Sequence, residues 1–364
     1  MTLSLYIARR FGWIFLEVFL AFFGILMLID MLDQLRRFAG KGVGLAQAAH
    51  LSLMSVPDSL YGILPLIMIL SAIGLFLGLA RSSELVVVRA SGRSGLRFLV
   101  TPVVVSLLIG AAAVLVLNPL VAATAKQYDT LRARYAQGTG QVLSVSEEGL
   151  WLRQGGDDSQ TVIHAARANA DGTVLTGVTF LSFGAEGQPT SRIEAETARL
   201  VPGAWQVTRA KRWRLDAQNP EAEAETLAEA SLPSDLTVAA IRDSFGSPST
   251  IPIWALPAYI RGLERAGFAA RSHQVWYQMQ LSLPLLMAAM VLVAAGFTMR
   301  HARLGRTGSL VLFALLGGFG IFFLRNFAQV LGVNGQIPVV IAAWAPPLAA
   351  VMLAMGLLLH LEDG

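Results

Sequence analysis

Six apolar segments, each about 20 residues long, constrain this chain more than any other feature. About 20 consecutive apolar residues form a helix that crosses the hydrocarbon core of a bilayer. The segments are Phe11–Met31, Leu60–Ala80, Phe98–Leu117, Met279–Met299, Gly308–Leu324 (extendable to Val330) and Ile337–Leu359. We therefore predict six transmembrane helices, three on each side of a long polar segment.

The composition agrees with a membrane protein. Hydrophobic residues make up 54% of the 364 residues and charged residues 14%, against about 25% charged residues in soluble domains. A mean hydropathy of +0.58 excludes a simple soluble enzyme and a disordered chain. The absence of cysteine excludes a disulfide framework, a cysteine zinc site and a cysteine nucleophile. The net charge of +4 is modest, and many arginines adjoin apolar segments, so we expect no nucleic-acid partner.

The distribution of Lys and Arg between the connections predicts the orientation, because cytoplasmic loops are richer in both. The richer side carries Arg9, Arg10, Arg81, Arg89, Arg93, Arg97, Arg300, Arg303 and Arg306. The poorer side carries Arg36, Arg37, Lys41 and Arg325. We expect both termini in the cytoplasm and the segment 126–270 outside it. The first apolar segment is too long for a signal peptide, so we also expect it to be retained.

The outer segment has the pattern of a β-domain. Predicted strands, separated by Gly, Asp and Pro clusters, are Gln141–Trp151, Thr161–Ala165, Val174–Phe183, Ser191–Val201 and Ala204–Leu215. Alternation places Ile193, Ala195, Thr197 and Arg199 on one face and Arg192, Glu194, Glu196 and Ala198 on the other. Glu221–Glu229 is interpreted as a turn or solvated edge. Helical spacing of apolar residues within Ser249–Arg271 predicts a surface helix before the fourth transmembrane segment.

The motifs of common catalytic sites are missing. The sequence has no Walker A motif, no H-E-x-x-H and no G-x-S-x-G. Its histidines are scattered, so we assign no catalytic residue, metal site or cofactor and do not expect an enzyme. Any nucleotide hydrolysis must belong to another chain.

Two acidic residues lie in or near the first apolar segment. A charge at the centre of a transmembrane helix is costly, so Glu17 is a candidate functional residue. The alternative that we favour is a side chain facing the bundle and hydrogen-bonded to a neighbouring helix. Asp30 lies near Asp33, Arg36 and Arg37, so local pairing explains it equally well.

The connection from Arg81 to Gly92 is predicted to contain a short cytosolic helix. Ser82 or Ser83 can cap its N-terminus, Glu84 favours the positive end of its dipole, and Gly92 can end it. Its apolar residues Leu85 and Val88 have no obvious partner in so short a loop. They could dock onto another protein, or the helix could lie on lipid headgroups through its arginines.

Two basic clusters lie on the predicted outer side, against the overall charge trend. The clusters are Arg36, Arg37 and Lys41, and Lys126, Arg132 and Arg134. Single residues of this kind are explained as anchors that snorkel to the headgroups. Two clusters at one level also suit an anionic ligand at the outer leaflet.

Several motifs give the chain a resemblance to a known family. They are Asp33-Gln-Leu-Arg-Arg37, Leu53-Met-Ser-Val-Pro57, Arg81-Ser-Ser-Glu-Leu-Val86, Arg89-Ala-Ser-Gly92 and Glu148-Gly-Leu-Trp-Leu152. With these motifs and its order of segments, the chain resembles the lipopolysaccharide-export permeases LptF and LptG over nearly its full length. It looks closer to the LptG branch.

The resemblance implies a fold and an assembly. The fold is an α-helical membrane protein of six transmembrane helices (3+3) with an inserted extracytoplasmic all-β jellyroll-like domain. The expected regions are 1–125 with a coupling helix at about 82–91, 126–270 with the jellyroll and a connecting helix, and 271–364. The implied partners are an LptF-like permease subunit, an LptB ATPase dimer that holds ATP and Mg, LptC, and lipopolysaccharide.

The resemblance also suggests site residues. The coupling helix that binds the ATPase would use Ser83, Glu84, Leu85, Val88, Arg89 and Gly92. Where family members can carry a lysine before Asp-Gln-Leu, this chain has Asp30. We therefore assign the lipid headgroup to Arg36, Arg37, Lys41, Arg132 and Arg134. The apolar walls of spans one, two and five would hold the acyl chains.

These expectations describe the permease subunit of an ATP-binding-cassette extractor in the bacterial inner membrane. It would move lipopolysaccharide from the outer leaflet to a periplasmic bridge. The alternative is a non-transporting membrane assembly factor whose β-domain binds partner proteins. A secondary carrier is disfavoured by the sparse intramembrane acids and the large β-domain.

Overall fold

The structure is a computed structural model that divides into two compact units. It describes residues 2–39, 44–82, 84, 95–136, 143–146, 149–155, 160–169, 172–184, 187–234, 236–237, 247–265, 269–299 and 307–362. The membrane unit comprises 1–132, 249–254 and 271–364, and the β unit comprises 133–248 and 255–270.

Long helices form the membrane unit, as their apolar composition dictates. They are α1 (Thr2–Arg37), α2 (Leu45–Gly62), α3 (Leu64–Arg81), α4 (Gly95–Ala112), α5 (Asn118–Ala136), α7 (Arg271–Thr298), α8 (Thr307–Val333) and α9 (Val339–Glu362). A π-helical turn, Ala113–Leu117, joins α4 to α5, so these elements form one long span. Six stretches are long and apolar enough to cross a membrane, which confirms the six predicted segments.

Helix α7 lies at the centre of the membrane unit. It packs against α3, α4, α8 and α9, and nearly all its side chains from Leu286 to Gly296 are buried. Small residues allow close helix packing in membranes. A Cβ built on Gly110 of α4 would lie 2.5 Å from the Cα of Pro284 in α7. The glycine is therefore required for these two helices to approach as they do.

An antiparallel sheet forms the β unit. Its strands are β1 (Leu143–Ser146), β2 (Gly149–Gly155), β3 (Gln160–Ala168), β4 (Val174–Phe183), β5 (Pro189–Val201), β6 (Ala204–Arg214) and β7 (Glu225–Pro233). Each strand pairs with the next in the chain. The inserted all-β domain is confirmed. Among the described strands the order is that of a meander, which differs from the two Greek keys of a jellyroll.

Most predicted strands match observed ones, and one differs. The predicted strand Gln141–Trp151 corresponds to β1 and the start of β2, which pair as a hairpin. The acidic segment Glu221–Glu229, interpreted as a turn or edge, enters the edge strand β7. The predicted surface helix is present as α6 (Leu256–Arg265). Its Leu263 is buried in the core of the sheet, so α6 is a component of the β unit.

A line of five residues interrupts the alternation of buried and exposed side chains across the sheet. We call it the break line. It consists of Ala166, Gly177, Glu196, Arg209 and Ala228. The pairs on either side of it, such as Ala195 with Ala210 and Thr197 with Thr208, keep one register. Gly177 and Arg209 have positive φ, 62° and 50°, and Arg209 forms an ion pair with Glu196 at 2.6 Å.

The break line changes which residues face the core. In β5, Ile193 and Ala195 are buried before the break line, and Ala198 is buried after it. The two consecutive residues between Ala195 and Ala198 are therefore both outside the core. The prediction that Ala198 lies on the face opposite Ile193 was therefore wrong. The same step occurs in β3, β4, β6 and β7, and β-bulges produce steps of this kind in single strands.

Trp205 is the largest side chain of the β core and is fully buried. Its indole N–H donates to Oε1 of Gln154 at 3.3 Å, which also accepts from Ser234 at 2.8 Å. The Gln154 amide donates to the carbonyl of Pro233 at 3.2 Å. Because β2 carries Gln154 and β7 ends at Pro233, these bonds link strands that are not neighbours in the sheet order.

Candidate functional site

Three arginines of the membrane unit form what we call the basic cluster: Arg36, Arg37 and Arg132. Arg36 and Arg37 lie in the last turn of α1, and Arg132 lies near the end of α5. All three are exposed. Lys41 and the side chain of Arg134, which were predicted to act with them, lie outside the described residues.

A hydrogen bond brings the end of α1 next to α5. The side-chain amide of Gln34 donates to the hydroxyl of Tyr128 at 3.0 Å. Gln34 is within one turn of Arg36 and Arg37, and Tyr128 is one turn before Arg132. Although almost a hundred positions separate them in the sequence, the two predicted basic clusters belong to adjoining helices.

The carboxylate of Asp30 does not neutralise these arginines. It accepts from Gln34 at 3.3 Å and from Ser55 of α2 at 3.3 Å. Among the described carboxylates, none lies within ion-pair distance of Arg36, Arg37 or Arg132. The interpretation of Asp30 as an arginine partner was therefore wrong. Guanidinium groups that are charged, exposed and outside ion-pair distance of the described acids are suited to bind phosphate, and of the three Arg132 has a charge interaction with a described acid, Asp129.

The predicted ATPase-coupling segment is described only at its start. Ser82 follows α3, and its hydroxyl donates to Oε1 of Glu84 at 2.7 Å. Ser83, Leu85, Val88, Arg89 and Gly92, the other predicted coupling residues, lie outside the described residues. The Ser82 hydroxyl, with a smaller contribution from Arg10, lowers the pKa of Glu84 below its usual range. Glu84 is therefore an anion at neutral pH.

Glu84 also has a basic partner within the chain. Its Oε1 accepts from Nη1 of Arg10, in α1, at 2.9 Å. The same Arg10 nitrogen donates to the hydroxyl of Tyr6 at 2.8 Å, and the guanidinium lies over the Tyr6 ring. The sequence analysis assigned Glu84 to the N-terminal dipole of a short helix and to contact with another protein, and it gave Arg10 no role beyond topology.

Exposed large apolar side chains are most numerous on α1 and α8, although the span formed by α4 and α5 and helix α9 also carry several. On α1 they are Leu5, Tyr6, Trp13, Leu16, Leu20, Ile25, Leu28, Ile29 and Leu32. On α8 they are Leu312, Phe313, Leu316, Phe319, Phe323, Leu324, Phe327, Val330 and Val333. The rings of Phe323 and Phe327 stack at 6.4 Å. No large apolar side chain of α3 is exposed, and the contribution of span two to the lipid-holding wall stays a prediction.

Two intramembrane charges differ from the sequence prediction. Glu17 is exposed, so it does not face its own bundle as we favoured. Arg325, assigned to an outer connection, lies within α8 and is only 8% exposed. Its charge interacts with Tyr61, which donates to Gln280 at 2.5 Å. The sequence already indicated that Arg325 lies within a helix, because the fifth apolar segment continues past Arg325 to Val333.

No metal-binding arrangement stands out. Among the residues that the structure describes, no group of three or more His, Asp or Glu side chains could hold a metal ion.

Comparisons with known proteins agree with this arrangement. The chain is 27% identical over 351 residues to the lipopolysaccharide export system permease protein LptG of Escherichia coli strain K12, covering 92% of this chain and 91% of that protein. The LptG protein of E. coli O6:H1 matches to the same extent. The model of the family described as lipopolysaccharide export system permease LptF/LptG matches residues 5–360. This chain therefore belongs to the LptF/LptG family of lipopolysaccharide export permeases.

Proposed function

We propose that this chain is the LptG-type subunit of an ATP-driven extractor that takes lipopolysaccharide from the outer leaflet of the bacterial inner membrane. The lipid would pass to a periplasmic bridge. ATP would be hydrolysed by a separate LptB-type dimer, and an LptF-type permease and LptC would complete the assembly. Both termini would be cytoplasmic and the β unit periplasmic.

The observation that carries the proposal is the basic cluster. Its three guanidiniums lie on adjoining helices, and no described carboxylate is within ion-pair distance of them. Phosphate oxygens are their best complement, because an arginine can bind phosphate through two parallel N–H donors. A phosphorylated lipid headgroup supplies such oxygens at the level where α1 and α5 end.

The exposed apolar faces of α1 and α8 support the assignment of a substrate that has acyl chains as well as a headgroup. Acyl chains need an apolar surface next to the headgroup site, and α1 carries both, with its basic cluster residues at one end and apolar side chains along its length. The aromatic pair of Phe323 and Phe327 adds a flat surface on α8. An amphiphile with a phosphorylated head therefore fits this unit better than a soluble anion does.

Glu84 supports the assignment of an ATPase partner. A carboxylate has four acceptor positions, and the described hydrogen bonds from Ser82 and Arg10 both end on Oε1. Glu84 can therefore accept a further bond from a basic group of the ATPase. The segment 82–91 connects α3 to α4, so its movement would also move these two helices. Their movement would narrow the outward cavity that holds the lipid.

The decisive experiment measures crosslinking of lipopolysaccharide to the purified complex. The test variant replaces Arg36, Arg37, Arg132 and Arg134 with alanine. Each charged contact is worth about 1.5 kcal/mol when partly exposed, the low end of its range, so we expect crosslinking to fall by at least about tenfold. Single alanine variants should lose much less.

A matched control replaces three exposed arginines of the β unit, Arg167, Arg199 and Arg212, with alanine. This variant loses three positive charges, against four in the test variant, but should crosslink like the parent. A quadruple variant that folds, binds the ATPase and crosslinks like the parent would refute the headgroup assignment and leave these arginines as anchors. A parent complex without any lipid-responsive ATPase would instead favour the assembly-factor alternative.

A further inference from the structure

We call the predicted ATPase-coupling segment, residues 82–91, the docking segment. We propose that Arg10 is a positioning residue that passes motion of the docking segment to helix α1 through its ion pair with Glu84. The inference rests on the proposed function, since it adds a second route by which the docking segment acts on the lipid-binding surface. The first route runs along the chain into α3 and α4, whereas this one crosses directly to α1.

The contacts of Arg10 show why it can act as a tie. Its Nη1 atom is 2.9 Å from Oε1 of Glu84 and 2.8 Å from the Tyr6 hydroxyl. The two side chains of the ion pair are only 29% and 35% exposed, so the pair is partly shielded from solvent. A charge-assisted hydrogen bond that is partly shielded holds its geometry better than one on an open surface.

Glycine at position 78 lets the guanidinium approach α3. A Cβ built at Gly78 would lie 3.2 Å from Nη2 of Arg10, which is tighter than an ordinary contact. Arg10 therefore lies against the end of α3, next to the place where the docking segment begins. Its partners come from α1 itself and from the docking segment.

Helix α1 can carry a displacement from this tie to the basic cluster. It is one uninterrupted helix from Thr2 to Arg37 and contains no proline. At 1.5 Å per residue, about 40 Å separates Arg10 from Arg37 along its axis. A shift or rotation of α1 at Arg10 therefore reaches Arg36 and Arg37, which we assign to the lipid headgroup.

Glu84 does not have to leave Arg10 to bind the ATPase. The hydrogen bonds from Ser82 and Arg10 end on Oε1 and Tyr6 also interacts with the carboxylate, but a carboxylate has four acceptor positions and can accept further bonds. The ATPase, Glu84 and Arg10 would then form one connected chain of charges. Arg10 itself has no assigned contact with either the ATPase or the lipid, so its loss tests transmission and leaves both binding sites in place.

The functional test uses the complex of this chain with its second permease subunit and ATPase, reconstituted in nanodiscs containing lipopolysaccharide. The readout is the ratio of ATP hydrolysis with and without lipopolysaccharide, measured alongside recovery of the complex. We expect Arg10→Gln to reduce this ratio at least threefold and Arg10→Lys to restore part of it. Arg9→Gln is the matched control, because Arg9 is exposed and adjacent, and it should behave like the parent.

A second measurement tests the tie without lipid or ATPase. The chain has no cysteine, so spin labels attach only to cysteines that are introduced. The two introduced cysteines are Leu5→Cys on α1 and Arg81→Cys at the end of α3. In the chain alone, Arg10→Gln should broaden the distance distribution between the labels, and Arg9→Gln should not. This result depends on the Arg10 contact and not on transport.

The outcomes separate the two ideas. If the parent shows no response to lipopolysaccharide, the proposed function fails, and the label distances still decide whether Arg10 ties the elements together. If Arg10→Gln and Arg9→Gln give the same distance distribution, the tie is absent. If the distribution broadens but the hydrolysis ratio stays at the parent value, the tie exists without transmitting, which overturns the inference.

Discussion

Tyr61 joins four helices of the membrane unit. It lies in α2, donates to Gln280 of α7 at 2.5 Å, and is close enough to Arg325 of α8 and Asn118 of α5 to interact with both. All four side chains are buried. Buried polar groups must be satisfied inside the protein, so this hydroxyl holds a polar cluster within an otherwise apolar bundle.

We expect Tyr61→Phe to destabilise the membrane unit by about 1 kcal/mol, within the range for hydrogen bonds between membrane helices. The variant leaves the Gln280 carbonyl without its donor, and the Gln280 amide nitrogen already has no partner among the described residues. Thermal unfolding in detergent measures the effect. Tyr277→Phe is the control, because no described residue is shown hydrogen-bonded to that hydroxyl, and an equal loss in both variants would contradict the assignment.

Asp58 predicts a dependence on pH. Burial raises the pKa of this carboxyl, although a hydrogen bond from Ser249 opposes the shift. A folded state with a raised carboxyl pKa binds more protons than the unfolded state, so its stability falls as pH rises through the two pKa values. We expect Asp58→Asn to raise the melting temperature at pH 7 and to lose this advantage at pH values below the ordinary aspartate pKa. An advantage that persists unchanged in acid would show that burial of the charge is not the cause.

At the level of residues, the sequence is informative where a local pattern is itself unusual. Arg36, Arg37 and Arg132 stand out because basic residues are uncommon on the side predicted to be outer, and the structure places them on adjoining helices. The ion pair of Arg10 with Glu84 was missed, because 74 positions separate the two residues and no local pattern brings them together. Glu17 and Arg325 were misplaced for a related reason. Hydropathy indicates that a residue is in the membrane, but it does not say which side of a helix meets other helices.

At the scale of elements, helix packing depends on a few glycines. Gly110 faces the backbone of Pro284, whereas a Cβ built at Gly320 of α8 would have nothing within 4 Å. We expect Gly110→Ala to destabilise the membrane unit by about 1–3 kcal/mol, the usual cost of overpacking. Gly320→Ala should be neutral or slightly stabilising, since alanine has the higher helix propensity. Thermal unfolding of the two variants side by side checks this, and equal melting temperatures would refute the close approach.

The elements were predictable to different degrees. Transmembrane helices were found because a bilayer imposes a length on them, and β4 was predicted with its observed bounds because Gly and Pro flank an apolar stretch. Strand β7 was obscured by its acidic residues, which an edge strand can expose to solvent. The break line could not be predicted from the sequence of β5 alone. It is recognised because the alternation of buried and exposed residues shifts in five strands, at positions that face each other in the sheet.

At the scale of the whole molecule, the orientation can be tested with single cysteines in this cysteine-free chain. We expect an impermeant thiol reagent added to intact spheroplasts to label Trp151→Cys and to leave Arg9→Cys and Arg81→Cys unlabelled. Trp151 is 41% exposed and reports on its compartment, whereas the fully buried Trp205 would not. Labelling of the two arginine positions without Trp151 would reverse the orientation and remove the export proposal.

The whole-molecule plan was the most predictable level. Three spans, a β insertion and three further spans follow from the lengths of apolar runs and from turn residues. With Arg325 assigned to α8, the connections predicted to be outer lose one basic residue, so the charge asymmetry behind the predicted orientation becomes stronger. Assembly partners are harder to predict from the sequence, because the exposed faces of α1 and α8 are suited both to lipid and to another apolar helix.

The break line restricts how this β unit can be recombined with those of relatives. A one-residue insertion or deletion on one side of the line would turn every following side chain of that strand to the opposite face. Its neighbours would keep the old phase, because each strand pair from β3 to β7 keeps one register across the break line, and the one register shift, at Ser182/Phe183, lies at the end of β4. Changes in length are therefore confined to the connections, and a hairpin taken from another protein can replace one here only if both of its strands shift phase at matching positions.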